Sequence, residues 1–199
     1  MTDKRFDSSQ AYKLDAPERH IWLPSAEVVD ALAVQSGDII ADVGAGTGYF
    51  SLPLAEAAGP LGKVYAVDAQ AEMLSHLRRK LLERSVPNVE LILAEAESTA
   101  LRDACCNLVF LANVWHEFAD RSTVLRESSR ILKHPGRIAI LDWRPDVERE
   151  PGPPLDHRLD ASTAADPLRS AGFLQIATVN VGPYSWLVQG RLQWRHERV

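Results

Sequence analysis

The sequence predicts an α/β fold: a doubly wound, seven-stranded sheet, mostly parallel with an antiparallel C-terminal strand, and helices on both faces. Three observations lead there. From residue 38 onward, short apolar runs of β type alternate with stretches of helical period, the pattern left by βαβ units and a parallel sheet. A glycine-rich turn, Gly44-Ala45-Gly46-Thr47-Gly48, stands where the first of these strands passes into a helix. The last two apolar runs are joined only by Gly182-Pro183-Tyr184, a link so short that they must be antiparallel neighbours.

Taken in order, residues 1–36 form a covering segment in which Pro24 precedes a helical pattern through Val28, Val29, Leu32 and Ala33. Strands are expected over 38–43, 63–67, 89–94, 108–112 and 137–142, with helices over 49–58, 71–83 and 121–133. The second helix sets Met73, Leu74, Leu77 and Leu81 on one stripe, and the third does the same with Val124, Leu125, Ser128, Ile131 and Leu132, so each stripe should face the sheet. Residues 144–161 hold four prolines among mixed charges, too broken for regular structure and well placed as a substrate loop. A helix over 163–171, a turn at Gly172 and strands over 173–181 and 185–192 complete the chain.

The bulk composition narrows the function. With 199 residues there is material for one well-buried core, and 1–199 reads as a single domain. The net charge of −5 argues against a phosphate-rich partner, so no nucleic acid is expected. The basic runs Arg78-Arg79-Lys80 and 191–195 are interleaved with acids or apolar residues and read as solvated faces. Residues 1–7 lack the apolar core of a secretion signal, and no run approaches the roughly 18 residues of a membrane span. Cys105 and Cys106 are adjacent, which allows neither a disulfide framework nor a spaced metal motif, and the six histidines add no ligand spacing. A cytoplasmic, metal-independent monomer or homodimer is the expectation.

Asp42-Val43-Gly44-Ala45-Gly46-Thr47-Gly48 carries the strongest local signal. Glycines at a strand-to-helix turn let the backbone approach a ligand while helix N-terminal amides point at it. Asp68 ends the second strand about 20 residues further on, where a carboxylate grips ribose hydroxyls. A dinucleotide fingerprint would place its third glycine where Tyr49 stands, and Asp42 would repel a pyrophosphate yet suit a ligand with an ammonium and a sulfonium. S-adenosylmethionine fits that charge pattern better than a nicotinamide cofactor.

These residues, with Val64-Tyr65-Ala66-Val67-Asp68, Met73, the stretch Asn113 to Glu117 and Arg130-Ile131-Leu132-Lys133, resemble the class I S-adenosylmethionine-dependent methyltransferases of Rossmann-like fold. The likeness runs over 40–173 and is greatest to the small-molecule branch that contains the ubiquinone and menaquinone biosynthesis methyltransferases. It implies that Gly44, Gly46 and Gly48 lie against the methionine part and ribose of the cofactor. It implies further that Asp68 holds the ribose, that Met73 covers the adenine, and that Ala94-Glu95-Ala96 reach the adenine edge. Asp42, Ala45, Thr47, Ala69 and Asn113 complete the implied cofactor set. Two positions depart from the family pattern: Glu95 stands where an aspartate is common, and Lys133-His134-Pro135-Gly136 where Lys-Pro-Gly-Gly is usual.

Methyl transfer from a sulfonium is a displacement that positioning alone can largely accelerate, and a base is needed only if the acceptor must lose a proton. Asn113-Val114-Trp115-His116-Glu117 follows the fourth strand at the ligand-binding edge of such sheets. His116 is the candidate base. Glu117 is the second catalytic candidate, to orient His116, touch the acceptor or begin the next helix. Trp115, Trp143, His157 and Arg158 are candidate acceptor contacts, the last two on a proline-stiffened loop that suits a lid. Two other functions compete with a methyltransferase: a nicotinamide oxidoreductase, and a cofactor-binding regulator without turnover. An arsenite methyltransferase would need several separated thiolates, which one adjacent pair does not supply.

Overall fold

A computed structural model of the chain describes residues 6–148 and 151–192. Parts of three expected segments therefore lie outside the described residues: the first five residues of the covering segment, Arg149 and Glu150 of the substrate loop, and Arg195 of the basic tail.

Seven strands form one sheet: β1 (Ile39–Val43), β2 (Lys63–Asp68), β3 (Val89–Leu93), β4 (Cys106–Ala112), β5 (Leu132–Trp143), β6 (Leu174–Val181) and β7 (Ser185–Leu192). Their spatial order is β3-β2-β1-β4-β5-β7-β6. The pairs from β3 across to β5 are parallel, and β7 inserts antiparallel between β5 and β6. The chain thus winds outward from β1 in both directions. The gap beyond the carboxyl ends of β1 and β4 is a topological switch point, where open α/β sheets place their ligands.

Helices cover both faces, as the stripes require. Ile40, Val64, Leu108 and Ala139 point to the face covered by α2 (Ser25–Leu32) and α3 (Ser51–Ala58), where they meet Val28, Leu32, Leu54 and Ala58. On the same side, Leu77 and Leu81 of α4 (Ala71–Arg84) pack on Ala66. The alternate residues Val43, Val109, Ile138 and Ile140 point to the other face, against Val124, Leu125 and Ile131 of α5 (Arg121–Ile131) and Leu168 of α6 (Ser162–Ser170). α5 begins where it does because the Asp120 side chain accepts the Thr123 backbone N–H at 3.1 Å, satisfying a donor the helix start leaves over. Before the sheet, a 3₁₀ segment (Ser8–Asp15) and the short α1 (Arg19–Trp22) run across the carboxyl edge instead of along a face. Between β5 and α6 the loop holds one 3₁₀ turn, Leu155–His157.

Candidate active site

At the switch point lies a cavity of about 1030 Å³. Small-molecule sites occupy roughly 300–1,000 Å³, so there is room for a cofactor and an acceptor together. Its floor is the glycine loop and the ends of β1, β2 and β4. Its roof is the N-terminal segment, through Phe6, Leu14, Arg19 and Trp22, and the loop from Pro151 to His157.

The implied cofactor residues meet here with one exception. Asp42, Gly44, Ala45, Gly46, Thr47, Asp68, Ala69, Met73, Ala94, Glu95, Ala96 and Asn113 all border the cavity. Gly48 does not. A Cβ on Gly48 would stand 2.2 Å from Leu77 Cδ1, so this glycine lets the turn press against α4 and serves packing. Gly44 is likewise held by packing, since a Cβ there would come 2.6 Å from Val114 Cγ1, whereas Gly46 meets only Leu14, at 3.6 Å. Gly46 is thus the open rung of the turn.

Asp68 ties the turn to β2. One carboxylate oxygen accepts the Gly46 backbone N–H at 2.8 Å and the other accepts Gln70 N–H at 2.9 Å. Asp42 is fully enclosed, and burial pushes its carboxyl up to about 7; the Ser51 hydroxyl at 2.5 Å works against that shift, and the neighbouring Asp68 charge adds to it. Asn113 has a positive φ of 57°, and its buried Oδ1 has no hydrogen-bond partner among the described residues. An orphaned acceptor bordering the same cavity as two carboxylates suits a ligand with an ammonium group, so the residues present fit S-adenosylmethionine.

The β4–β5 side of the cavity differs more from expectation. His116 is 7% exposed and borders the cavity. Its Nδ1 lies 2.8 Å from Asp142 Oδ1, and its backbone N–H donates to Asp142 Oδ2 at 2.9 Å. Trp143 N–H donates to the same carboxylate at 2.7 Å. Asp142, at the end of β5, is therefore the group that orients His116, a role the sequence reading offered to Glu117. Glu117 borders the same cavity, and burial pushes its carboxyl up to about 7 against the pull of His116.

Trp115 is corrected outright: it is wholly buried in the core between the sheet and α5, because the tight turn after β4 points alternate side chains up and down. Trp143 and His157 do border the cavity, and Trp143 packs against Trp22 with ring centroids 5.3 Å apart. Arg158 turns away from it. Its guanidinium donates to the carbonyls of Val147 (2.8 Å), Pro153 (3.0 Å) and Pro151 (3.1 Å), which shapes the loop and leaves His157 to face inward. The basic run is corrected at one position: Lys80 is not a solvated charge but bonds Asp15 and the Thr47 carbonyl, the latter at 2.7 Å.

Sequence reasoning missed Asp142 and the roof. Asp142 had a usable signal, an acid ending a strand at the same edge as Asp68. The roof residues Leu14, Arg19 and Trp22 had none, since they lie about 30 residues from the loop they cover and obey no spacing rule.

A glycine turn at the switch point, a strand-end acid at β2 and a base candidate after β4 define the class of S-adenosylmethionine-dependent methyltransferases. Residues 41–140 match the family model described as a methyltransferase domain. The chain belongs to that family, and S-adenosylmethionine is its cofactor. It is 31% identical to a SAM dependent methyltransferase from Aquifex aeolicus, covering 94% of this chain and 99% of that one with a TM-score of 0.88. It is 33% identical over 111 residues to the ubiquinone/menaquinone biosynthesis C-methyltransferase UbiE of Xylella fastidiosa, covering 55% of this chain and 44% of that protein. With the demethylmenaquinone methyltransferase of a Geobacillus species it shares 33% over 116 residues, 58% of this chain and 50% of the relative. The chain spans about half the length of the curated relatives it matches.

Proposed function

We propose that this chain methylates a small acceptor held between the glycine turn and the His116–Asp142 pair, with His116 taking the acceptor's proton. The observation that carries the reading is the Asp142 carboxylate on Nδ1 of His116. An N–H at Nδ1 donating to that carboxylate leaves the lone pair at Nε2, and the carboxylate steadies the imidazolium once Nε2 is protonated. Bound S-adenosylmethionine supplies a methyl group on a sulfonium, a leaving group already activated. Asp68 and Gly46 hold the nucleoside end, Asn113 and Asp42 favour the ammonium, and Met73 with Ala94, Glu95 and Ala96 wall the adenine. Trp22, Trp143 and His157 enclose the acceptor.

The apolar wall made by Trp22 and Trp143, whose rings tilt 34° to one another, suits an aromatic ring. Relatives named for ubiquinone/menaquinone biosynthesis and for demethylmenaquinone support the same choice, a hydroxylated ring of the quinol kind. In this proposal the chain is one methyltransferase domain over 1–199, with 1–36 as its cover and 144–161 as its substrate loop. It works in the cytoplasm as a monomer or homodimer without a nucleic-acid partner, in keeping with the net charge of −5. Among the described residues no helix is long and apolar enough to cross a membrane. A panel of hydroquinones and phenols, scored by S-adenosylhomocysteine release, tests the proposal. Turnover with a hydroxylated ring, lost on methylation of its hydroxyl, supports it; release confined to amine or thiol acceptors overturns it.

A further inference from the structure

Among the described residues three Lys or Arg side chains border the cavity: Lys13, which is exposed and donates to Gln10 Oε1 at 2.7 Å, Arg121, whose Nε donates to the Trp115 carbonyl at 2.9 Å, and Arg19. Arg19 is 7% exposed, its Nη1 donates to the Leu14 carbonyl at 2.7 Å, and its buried Nε has no hydrogen-bond partner among the described residues. No carboxylate among them lies within ion-pair distance of it. The guanidinium instead sits 4.2 Å from the centre of the Tyr49 ring and 5.8 Å from that of Trp22. Aromatic faces soften the cost of burying a cation, but they leave a desolvated N–H unsatisfied. Burial draws the group down to about 10, so it stays charged at neutral pH.

Its surroundings say what would satisfy it. Tyr49 follows Gly48 directly, so Arg19 delivers its charge to the glycine-turn side of the cavity. Asp42 and the orphaned Asn113 Oδ1 border the same cavity and favour a positive group. A buried donor with positive charge in one chamber with acceptors of negative charge matches a zwitterion, carboxylate to one side and ammonium to the other. We propose that Arg19 is a carboxylate-binding residue of the cavity, and that the carboxylate it takes is the one at the methionine end of the cofactor. This rests on the reading of the cavity as the cofactor's chamber.

The test needs no acceptor. Affinities of S-adenosylhomocysteine and of its decarboxylated analogue, S-adenosyl-3-thiopropylamine, are measured by calorimetry on the parent, Arg19→Met and Arg19→Lys. The analogue keeps the nucleoside, sulfur and amine and lacks only the carboxylate, so a variant that merely loosens the roof weakens both ligands alike. The parent should prefer S-adenosylhomocysteine by about tenfold or more, Arg19→Met should lose about 10- to 100-fold for that ligand and under about threefold for the analogue, and Arg19→Lys should keep part of the preference. Equal losses for the two ligands, or a preference that survives in Arg19→Met, overturn the cofactor assignment. A surviving preference together with benzoate binding to the loaded parent, lost in Arg19→Met, retains the carboxylate site and gives it to the acceptor. A parent that binds neither nucleoside overturns the methyltransferase reading and this one with it, whereas tight S-adenosylhomocysteine binding indifferent to Arg19 sinks this inference alone.

Discussion

On the β1–β2 side of the cavity the wall is backbone and strand ends: the turn through Gly46, held by the Asp68 carboxylate at 2.8 Å, with Gly44 and Gly48 pinned by Val114 and Leu77. On the β4–β5 side the wall is side chains from four separate stretches of chain, Trp22, His116, Trp143 and His157, with Asp142 buried behind His116. The first half obtains its chemistry from the way any strand-to-helix turn presents its amides, so a change there should disturb binding and folding together. The second half obtains its chemistry from individual groups on a finished scaffold, so a change there should disturb the reaction and little else.

The largest expected effect tests that division directly. His116→Ala should lower turnover by about 10²- to 10⁴-fold while S-adenosylhomocysteine affinity stays within about threefold. A parallel loss of affinity would erase the distinction between the halves. Next, Asp68→Ala should weaken S-adenosylhomocysteine binding by about 1.5–3 kcal/mol, because it removes charge-assisted bonds to the ligand and also the anchor of the Gly46 amide. Binding as tight as the parent's would remove Asp68 from the cofactor wall.

Gly48→Ala should lower unfolding stability by about 1–3 kcal/mol in denaturant titration, since the new methyl meets Leu77 and the backbone holds a φ of 84°. A stability equal to the parent's would show that α4 can yield, and the pinning argument would fail. The smallest effect is a pH dependence. The Asp42 and Glu117 carboxyls, ordinarily near 3.8 and 4.5, are raised to about 7 in the unliganded protein. A raised carboxyl contributes stability that is complete below its unfolded value and lost as pH rises through the folded one. The unliganded protein should therefore melt at a lower temperature at pH 8 than at pH 6. Cofactor binding, which favours the carboxylates, should release protons near pH 7, measurable by calorimetry in buffers of different ionisation enthalpy; proton uptake would contradict the sign.

The same division governed what the amino-acid sequence disclosed. The strands and the four helices expected from residue 49 onward fall within two residues of their expected bounds, because Leu77, Val124 and their neighbours repeat at the period of the element that buries them; the exception is β5, which begins at Leu132, five residues early and inside the expected helix. The half proposed for the cofactor was legible for a related reason: its residues are consecutive or end a strand. Gly48 was read as a ligand contact only because sequence does not distinguish a glycine that faces a ligand from one that faces a helix. The acceptor half depends on where side chains point after the chain has folded. Trp115 and His116 are neighbours with opposite destinies, one core and one cavity, and Arg158 and His157 likewise. Nothing in their spacing distinguishes them. The partnership of His116 with Asp142, 26 residues apart, exists only because β4 and β5 are adjacent in the sheet.

Asp15 joins the Thr47 hydroxyl at 2.7 Å and the Lys80 ammonium, so the end of the 3₁₀ segment is clasped to the glycine turn and to α4 at once. The clasp draws the N-terminal roof onto the turn that borders the proposed cofactor chamber, so loosening it should ease the cofactor's passage. The expected kinetic scheme is ordered: S-adenosylmethionine on first, S-adenosylhomocysteine off last, and product inhibition by S-adenosylhomocysteine competitive toward the cofactor alone. Asp15→Ala should quicken S-adenosylhomocysteine departure in stopped flow, and where that departure limits the cycle, the weakened clasp makes the faster enzyme.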